Sequence, residues 1–321
     1  MLPTAKSVAT RPDRMANKPP FTLPYAHPAV RDLAFLLTAP SPWKSGADIP
    51  PHRLLGPDGP ALLQALDAHP AELRHWLARQ PTRRLGHYAE RLLSFWFRLA
   101  PHIELVASNL PVRGPDGRTV GEFDFLLRLD GQPLHLEAAS KFYLQLGRSA
   151  DTLTGPSLRD AWALKAHKLQ TQLRLSRHPA AQATLPEGFA GCAVGARLSG
   201  WLFHAQDTSP EPPPGALPLY GQYWPLRGDW PALNADSRWA WLPRLSWLAP
   251  ARLSREHTAD AAELRARLEQ AEAPQLLAEL QPGPDGDWHE VARGFAVPPG
   301  WPQEAPLSRL LRQIADCAPP Q

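Results

Sequence analysis

Apolar positions recur three and four residues apart between residues 21 and 99 and alternate with polar ones between 103 and 144. The helical spacing predicts short amphipathic helices over 29–37, 60–68 and 70–77. The last two open on proline, which the first helical turn tolerates. The clearest stripe lies in 83–99, RRLGHYAERLLSFWFRL, where Leu85, Tyr88, Ala89, Leu92, Trp96 and Leu99 share one face. Leu93 and Phe97 widen that face, and Glu90 falls at its border, one turn from His87. Pro101 ends the helix.

Alternation then takes over. Residues 103–112 read as a strand, and the Gly114-Pro115-Asp116-Gly117 turn leads into a hairpin over 119–144. Its strands are 120–129 and 134–144, with 130–133 as the turn. Side chains alternate faces along a strand, so Glu122 and Asp124 share one face and Phe123 and Phe125 the other. On the second strand His135, Glu137, Ala139 and Lys141 share a face, opposite Leu134, Leu136 and Ala138. An unpaired carboxylate is costly to bury. Acids and a lysine inside such apolar runs therefore point to a site, one suited to a hard cation. Glu122 is an alternative ligand to Asp124, and His135 is a partner or local base on the same face. A structural ion pair between Glu137 and Lys141 is the plainer alternative.

Downstream, residues 147–155 form a polar loop and 157–176 a second long helix, with Ser157 and Asp160 resembling a capping box. Arg159, Lys165, Lys168, Arg174 and Arg177 make that helix basic. It reads either as a solvated face or as a track for a phosphate backbone, with Lys165, Lys168 and Arg174 as the contacts. An apolar strand over 191–205 follows, which makes the helix a crossover, right-handed if the strands are parallel. Residues 206–218, QDTSPEPPPGALP, read as a proline-rich linker. Beyond it lie a helix over 259–280, a strand over 288–297 and a helix over 307–317. Trp224, Trp230, Trp239, Trp241, Trp247 and Trp288 are scattered through that part, where core packing is the plainer role and base stacking the alternative.

Composition narrows the setting. The net charge of +3 permits a polyanionic partner without requiring one. Two cysteines among 321 residues give neither a disulfide framework nor metal spacing, so a cytoplasmic protein is expected. No apolar run reaches a membrane-spanning length. Residues 1–20 carry four cationic side chains and no apolar core of a signal peptide, so they read as a disordered tail or an over-long start preceding Met15.

Taken together, Glu90 on a helix, Asp124 on a strand, and Glu137 with Lys141 on the next strand resemble the PD-(D/E)xK nuclease superfamily over residues 83–205. The segments GEFDFLL, LHLEAASKFYL and LPRLSWLAPAR resemble the bacterial family DUF1853 over most of the chain. The pattern departs from the superfamily twice: Phe123 replaces the proline before the acid, and Lys141 stands four residues after Glu137 instead of two.

The resemblance implies an α/β fold with a restriction-endonuclease-like core, a mixed central sheet flanked by helices. A helical lead-in (21–82) precedes that core and an α+β extension (219–321) follows it. Asp124 and Glu137 would be the metal-binding acids for Mg²⁺ or Mn²⁺, with Lys141 and Glu90 as catalytic groups. The implied activity is phosphodiester hydrolysis on DNA or RNA. A catalytically inactive nuclease fold that binds nucleic acid or a protein partner is the alternative.

Overall fold

The computed structural model describes residues 22–205, 220–225 and 237–317. The expected tail (1–20), the proline-rich linker (206–218), Trp230 and the side chain of Trp224 lie outside the described residues. Four short helices lead in: α1 (Pro28–Thr38), α2 (Pro51–Leu55), α3 (Gly59–Ala68) and α4 (Ala71–Ala78). The predicted stripe forms α5 (Leu85–Leu99), followed by β1 (Ile103–Arg113), β2 (Thr119–Leu129) and β3 (Gln132–Gln145). Asp130 and Gly131 take φ of 53° and 75°, which makes the β2–β3 turn two residues long, so Gln132 and Pro133 belong to the strand. The two-residue strand β4 (Leu153–Thr154) pairs back on the end of β3, and the crossover helix α6 (Trp162–Leu173) follows.

After a short helix α7 (Pro179–Gln182), β5 (Ala193–Ala205) runs parallel to β3 over its whole length. The remaining elements are β6 (Tyr220–Pro225), β7 (Arg238–Trp241), β8 (Arg252–Leu253), α8 (Ala261–Leu268), β9 (Gln275–Pro282), β10 (Trp288–Val297) and α9 (Glu304–Cys317). They continue one mixed sheet in the order β1-β2-β3-β5-β6-β10-β9-β7, with β6 parallel to both β5 and β10. The C-terminal third is thus built into the same sheet as the hairpin. Among the described residues, no helix is long and apolar enough to cross a membrane.

The sheet buries both faces. On one side α1 and α5 pack Phe35, Trp96 and Phe97 against Phe125, Leu136, Phe142, Trp201 and Phe295. Each such buried side chain contributes roughly 1.5–3 kcal/mol relative to exposure. On the other side α6 sets Leu169 and Leu173 on Tyr143, Leu198 and Leu202, and α8 covers Trp239 and Leu277. The LPRLSWLAPAR segment is structural. Its backbone oxygens at Leu248, Pro250, Trp247 and Ala249 accept from Trp201, Arg31 and Arg293, and its Ala249 amide donates to buried Asp32. Tryptophans 239 and 247 are core residues.

Three expectations are corrected. Residues 259–280 are a helix followed by a strand, because Pro274 ends the helical propensity and Leu276, Leu277 and Ala278 are buried within the sheet. The crossover helix begins at Trp162 with Ala161 as an N-cap that offers no side-chain bond. Asp160 does not cap it, since its carboxylate is taken by Lys141 and by the Tyr143 hydroxyl. Finally, Phe123 and Phe125 do not share a cluster. Phe125 meets Phe97 edge-on at 5.1 Å in the main core, whereas Phe123 packs with Leu126 and Phe189. Asn109, on the neighbouring strand, takes a left-handed φ of 50° at this level, where β2 turns away from β3.

One glycine is required by the parallel pairing of β3 and β5. Gly200 has φ of 130°, and a Cβ there would meet the Lys141 carbonyl oxygen at 1.8 Å. The Gly200→Ala substitution should therefore lower stability by more than about 3 kcal/mol, as strain at a special backbone conformation does. Denaturant unfolding of the two proteins measures this.

Candidate active site in the split of the sheet

Strands β2 and β3 pair only from Leu129/Gln132 up to Phe125/Leu136. Beyond that point β2 stays with β1 as far as Thr119, and β3 stays with β5 as far as Gln145. The sheet opens between them, and Asp124 and Glu137 are the first residues past the last pair. A backbone N–H left without a ladder partner needs another acceptor. The Ala138 amide finds it in the Asp124 carboxylate, at 2.9 Å from Oδ2. The acid thus holds the rim of the gap that it lines.

Glu137 is fully buried and held at both oxygens. His135 Nε2 lies 2.9 Å from Oε1, and the Gln172 amide donates to Oε2 at 2.6 Å. Burial pushes His135 down to about 4, which favours the neutral ring beside Glu137. Its ring stands edge-on to Phe123 at 4.7 Å. The Gln172 amide oxygen in turn accepts from Lys165 Nζ at 3.2 Å. One glutamine therefore bridges the buried carboxylate and an ammonium of the crossover helix.

The electrostatics single out this group. Burial, and then repulsion from Glu137, pushes Asp124 up to about 7. Burial also pushes Glu137 up to about 7, against the pull of Lys165 and a hydrogen bond with the Asp124 carboxyl. Glu90 reaches about 7 through burial and the nearby Asp124 charge. Lys165 is shifted the opposite way, downward, chiefly by burial and by Lys141. The opening explains this convergence: α5 brings Glu90 from one face of the sheet and α6 brings Lys165 from the other, and both act on Asp124. Perturbed groups gathered in one cleft mark functional sites more often than ordinary surface does.

The predicted residues separate accordingly. Glu90, Asp124 and Glu137 are brought together. Lys141 lies on the face of Glu137 but ion-pairs with Asp160, as the short reach from β3 to the start of α6 favours. Lys165, expected on a surface track, is instead half-buried beside the acids. Lys168 is exposed on the same side of α6 and still acts on Glu137, while Arg174 is exposed beyond the end of the helix. Glu122 is exposed and contributes to the charge felt by Glu90. Sequence reasoning missed Gln172. Its spacing of seven from Lys165, two helical turns, was the available signal.

A hard divalent cation suits this donor set. Mg²⁺ commonly takes one or two carboxylates and completes its shell with water and phosphate oxygens. The two carboxyls lie close enough to share a hydrogen bond, and an ion between them would take its place while His135 and Gln172 keep Glu137 oriented. Among the described residues, no three His, Cys, Asp or Glu side chains form a ready-made metal cage. The protein's share would be the Asp124–Glu137 pair.

Fold and centre together define a mixed α/β protein with a half-buried carboxylate–lysine centre in a split sheet. Residues 31–297 match the family model described as Domain of unknown function (DUF1853), and the chain belongs to that family. No curated protein and no solved structure matches it.

Proposed function

We propose that the protein is a Mg²⁺- or Mn²⁺-dependent phosphodiesterase acting on DNA or RNA, with a restriction-endonuclease-like core of the PD-(D/E)xK kind. The observation that carries the reading is the opening of the sheet at Asp124 and Glu137, with Glu90 and Lys165 entering it from opposite faces. Asp124 and Glu137 would hold the ion. Bound there, it would neutralise phosphate charge and supply an activated water. His135 and Gln172 keep Glu137 oriented. Lys165 offers a positive charge to an anionic transition state, where a preorganised donor in a half-buried site is effective. Glu90 accepts or relays a proton, a task suited to a carboxyl near 7.

In this reading the lysine of the motif is supplied by α6, and Lys141 supports the start of that helix through Asp160. Lys165→Met should therefore lower turnover by about 100-fold or more, and Lys141→Met by less than about 10-fold, the range separating a charge-stabilising donor from a supporting ion pair. Metal-dependent cleavage of labelled single- and double-stranded DNA and RNA measures both. Equal losses, or a larger loss at Lys141, would move the lysine role to β3. The ion pair of Lys141 with Asp160 also favours a second reading, a nuclease fold that binds nucleic acid without cutting it. Binding of those substrates with no metal-dependent turnover by the wild type would select it.

A further inference from the structure

On the α5 side of the sheet, behind the carboxylates, lies a small cleft. Gly86, Ala89, Glu90 and Leu93 of α5 form one wall, and Ala138, Ser140, Arg197 and Ser199 of β3 and β5 form the other. Its lining is mostly small residues, and it has room for about one water-sized atom group. Arg197 is among its lining residues and is only 2% exposed. Two of its nitrogens are engaged: Nε donates to the Leu36 carbonyl and Nη2 to the Ala39 carbonyl at the end of α1. The third, Nη1, has no hydrogen-bond partner among the described residues. A buried guanidinium N–H without an acceptor is costly, and such groups in folded proteins usually have one.

Three further features give the cleft the character of an oxyanion seat. The first turn of α5 borders it, and the N-cap of that helix, Arg84, provides no side-chain cap, so the helix has an uncapped positive end. Arg83, Arg84 and His87, next to Gly86 in the chain, are exposed. The hydroxyls of Ser140 and Ser199 lie 2.8 Å apart on the lining and can turn toward a guest. Two carboxylates oppose them. Asp48 acts on Arg197 from outside the lining, and Glu90 lies on the wall itself.

We propose that this cleft seats one oxygen of a phosphate group, held by Arg197 Nη1, the Ser140–Ser199 hydroxyls and the first turn of α5. The phosphate belongs to a nucleic-acid strand or is free in solution. The strand source rests on the reading of the neighbouring carboxylates as a phosphodiesterase centre, and the free-phosphate source does not.

The test exploits Gly86, where an added Cβ meets nothing within 4 Å. Gly86→Asp sets a carboxylate at the mouth, in a helical first turn that favours an acid and disfavours glycine, so the variant should fold at least as well as the wild type. Gly86→Ala is its neutral partner. Both full-length chains and the wild type are titrated with inorganic phosphate and with a 5′-phosphorylated single-stranded oligonucleotide. EDTA is present throughout, so that no metal site takes part. The expected result is at least a 10-fold weaker affinity of Gly86→Asp than of Gly86→Ala, with thermal stability unchanged or raised. Loss confined to the oligonucleotide identifies the strand as the source. Loss confined to inorganic phosphate keeps the seat and removes its link to phosphodiester cleavage. Equal affinities for both probes in the two variants, or no binding of either probe to the wild type, would overturn the proposal. Because none of these titrations requires turnover, failure of the cleavage reading alone leaves them interpretable.

Discussion

The Asp124→Asn substitution is expected to stabilise the metal-free protein at high pH, against the usual direction of core mutations. Asp124 has its pKa raised to about 7 in the folded chain by burial and by the Glu137 charge. Between its ordinary value near 3.8 and 7 the folded state keeps a proton that the unfolded chain has released. Rising pH through that window therefore removes stability, and above pH 7 the loss is complete. Asparagine does not titrate, keeps a carbonyl oxygen for the Ala138 amide and relieves the repulsion with Glu137. A tenfold change in proton concentration inside the window is worth about 1.4 kcal/mol, so the stability difference between variant and wild type should grow by roughly 2–4 kcal/mol from about pH 5 to about pH 8. Neutral His135 titrates in the opposite sense, but it is common to both proteins and cancels in the comparison. Denaturant unfolding at the two pH values measures the difference. A variant uniformly less stable than the wild type would mean that Asp124 is a structural acid whose charge the fold needs. Added Mn²⁺ should reverse the ranking, because only the wild type gains a bound cation.

Glu137→Ala carries the largest expected effect on turnover, a loss of about 10³-fold or more, comparable to removing a group that the transition state cannot replace. The same change strips the partner from buried His135 and from the Gln172 amide, so some stability is lost as well. Glu137→Gln separates the two. It keeps a carbonyl for one of those donors and the volume of the side chain, so it should fold well and still lose turnover by at least about 100-fold. Recovery of near wild-type cleavage by the glutamine variant would show that the negative charge at this position is not used.

The parts of the centre that can be read from the chain are those set by local periodicity. The 3.6-residue stripe of 83–99 places Glu90 at a helix border, and strand alternation places Asp124, Glu137 and Lys141 on their faces. What alternation cannot express is that two paired strands separate. The gap beyond Phe125/Leu136 depends on β2 following β1 and β3 following β5, which is a property of the whole sheet. That separation is what admits Lys165 from a helix twenty-eight residues beyond Glu137 in the chain, while the nearer Lys141 is held by Asp160. Residues 275–282 depart from the helical expectation for a related reason. Their Leu, Ala and Glu favour a helix in isolation, and burial between β7 and β10 overrides that preference. The continuation of the sheet through β6 rests on parallel pairing with β5 and β10, which leaves no short-range signature in sequence.

The most direct test of a metal centre in the split of the sheet is a calorimetric Mn²⁺ titration at pH 8, with a short phosphodiester oligonucleotide present to complete the ion's shell. Wild type is compared with the Asp124→Asn, Glu137→Gln double variant, whose two changes keep the shape of the site. The expected result is binding by the wild type that disappears in the double variant while its fold, by circular dichroism, is unchanged. Equal Mn²⁺ affinity in both proteins, or none in the wild type with the oligonucleotide bound, would contradict a metal centre held by Asp124 and Glu137.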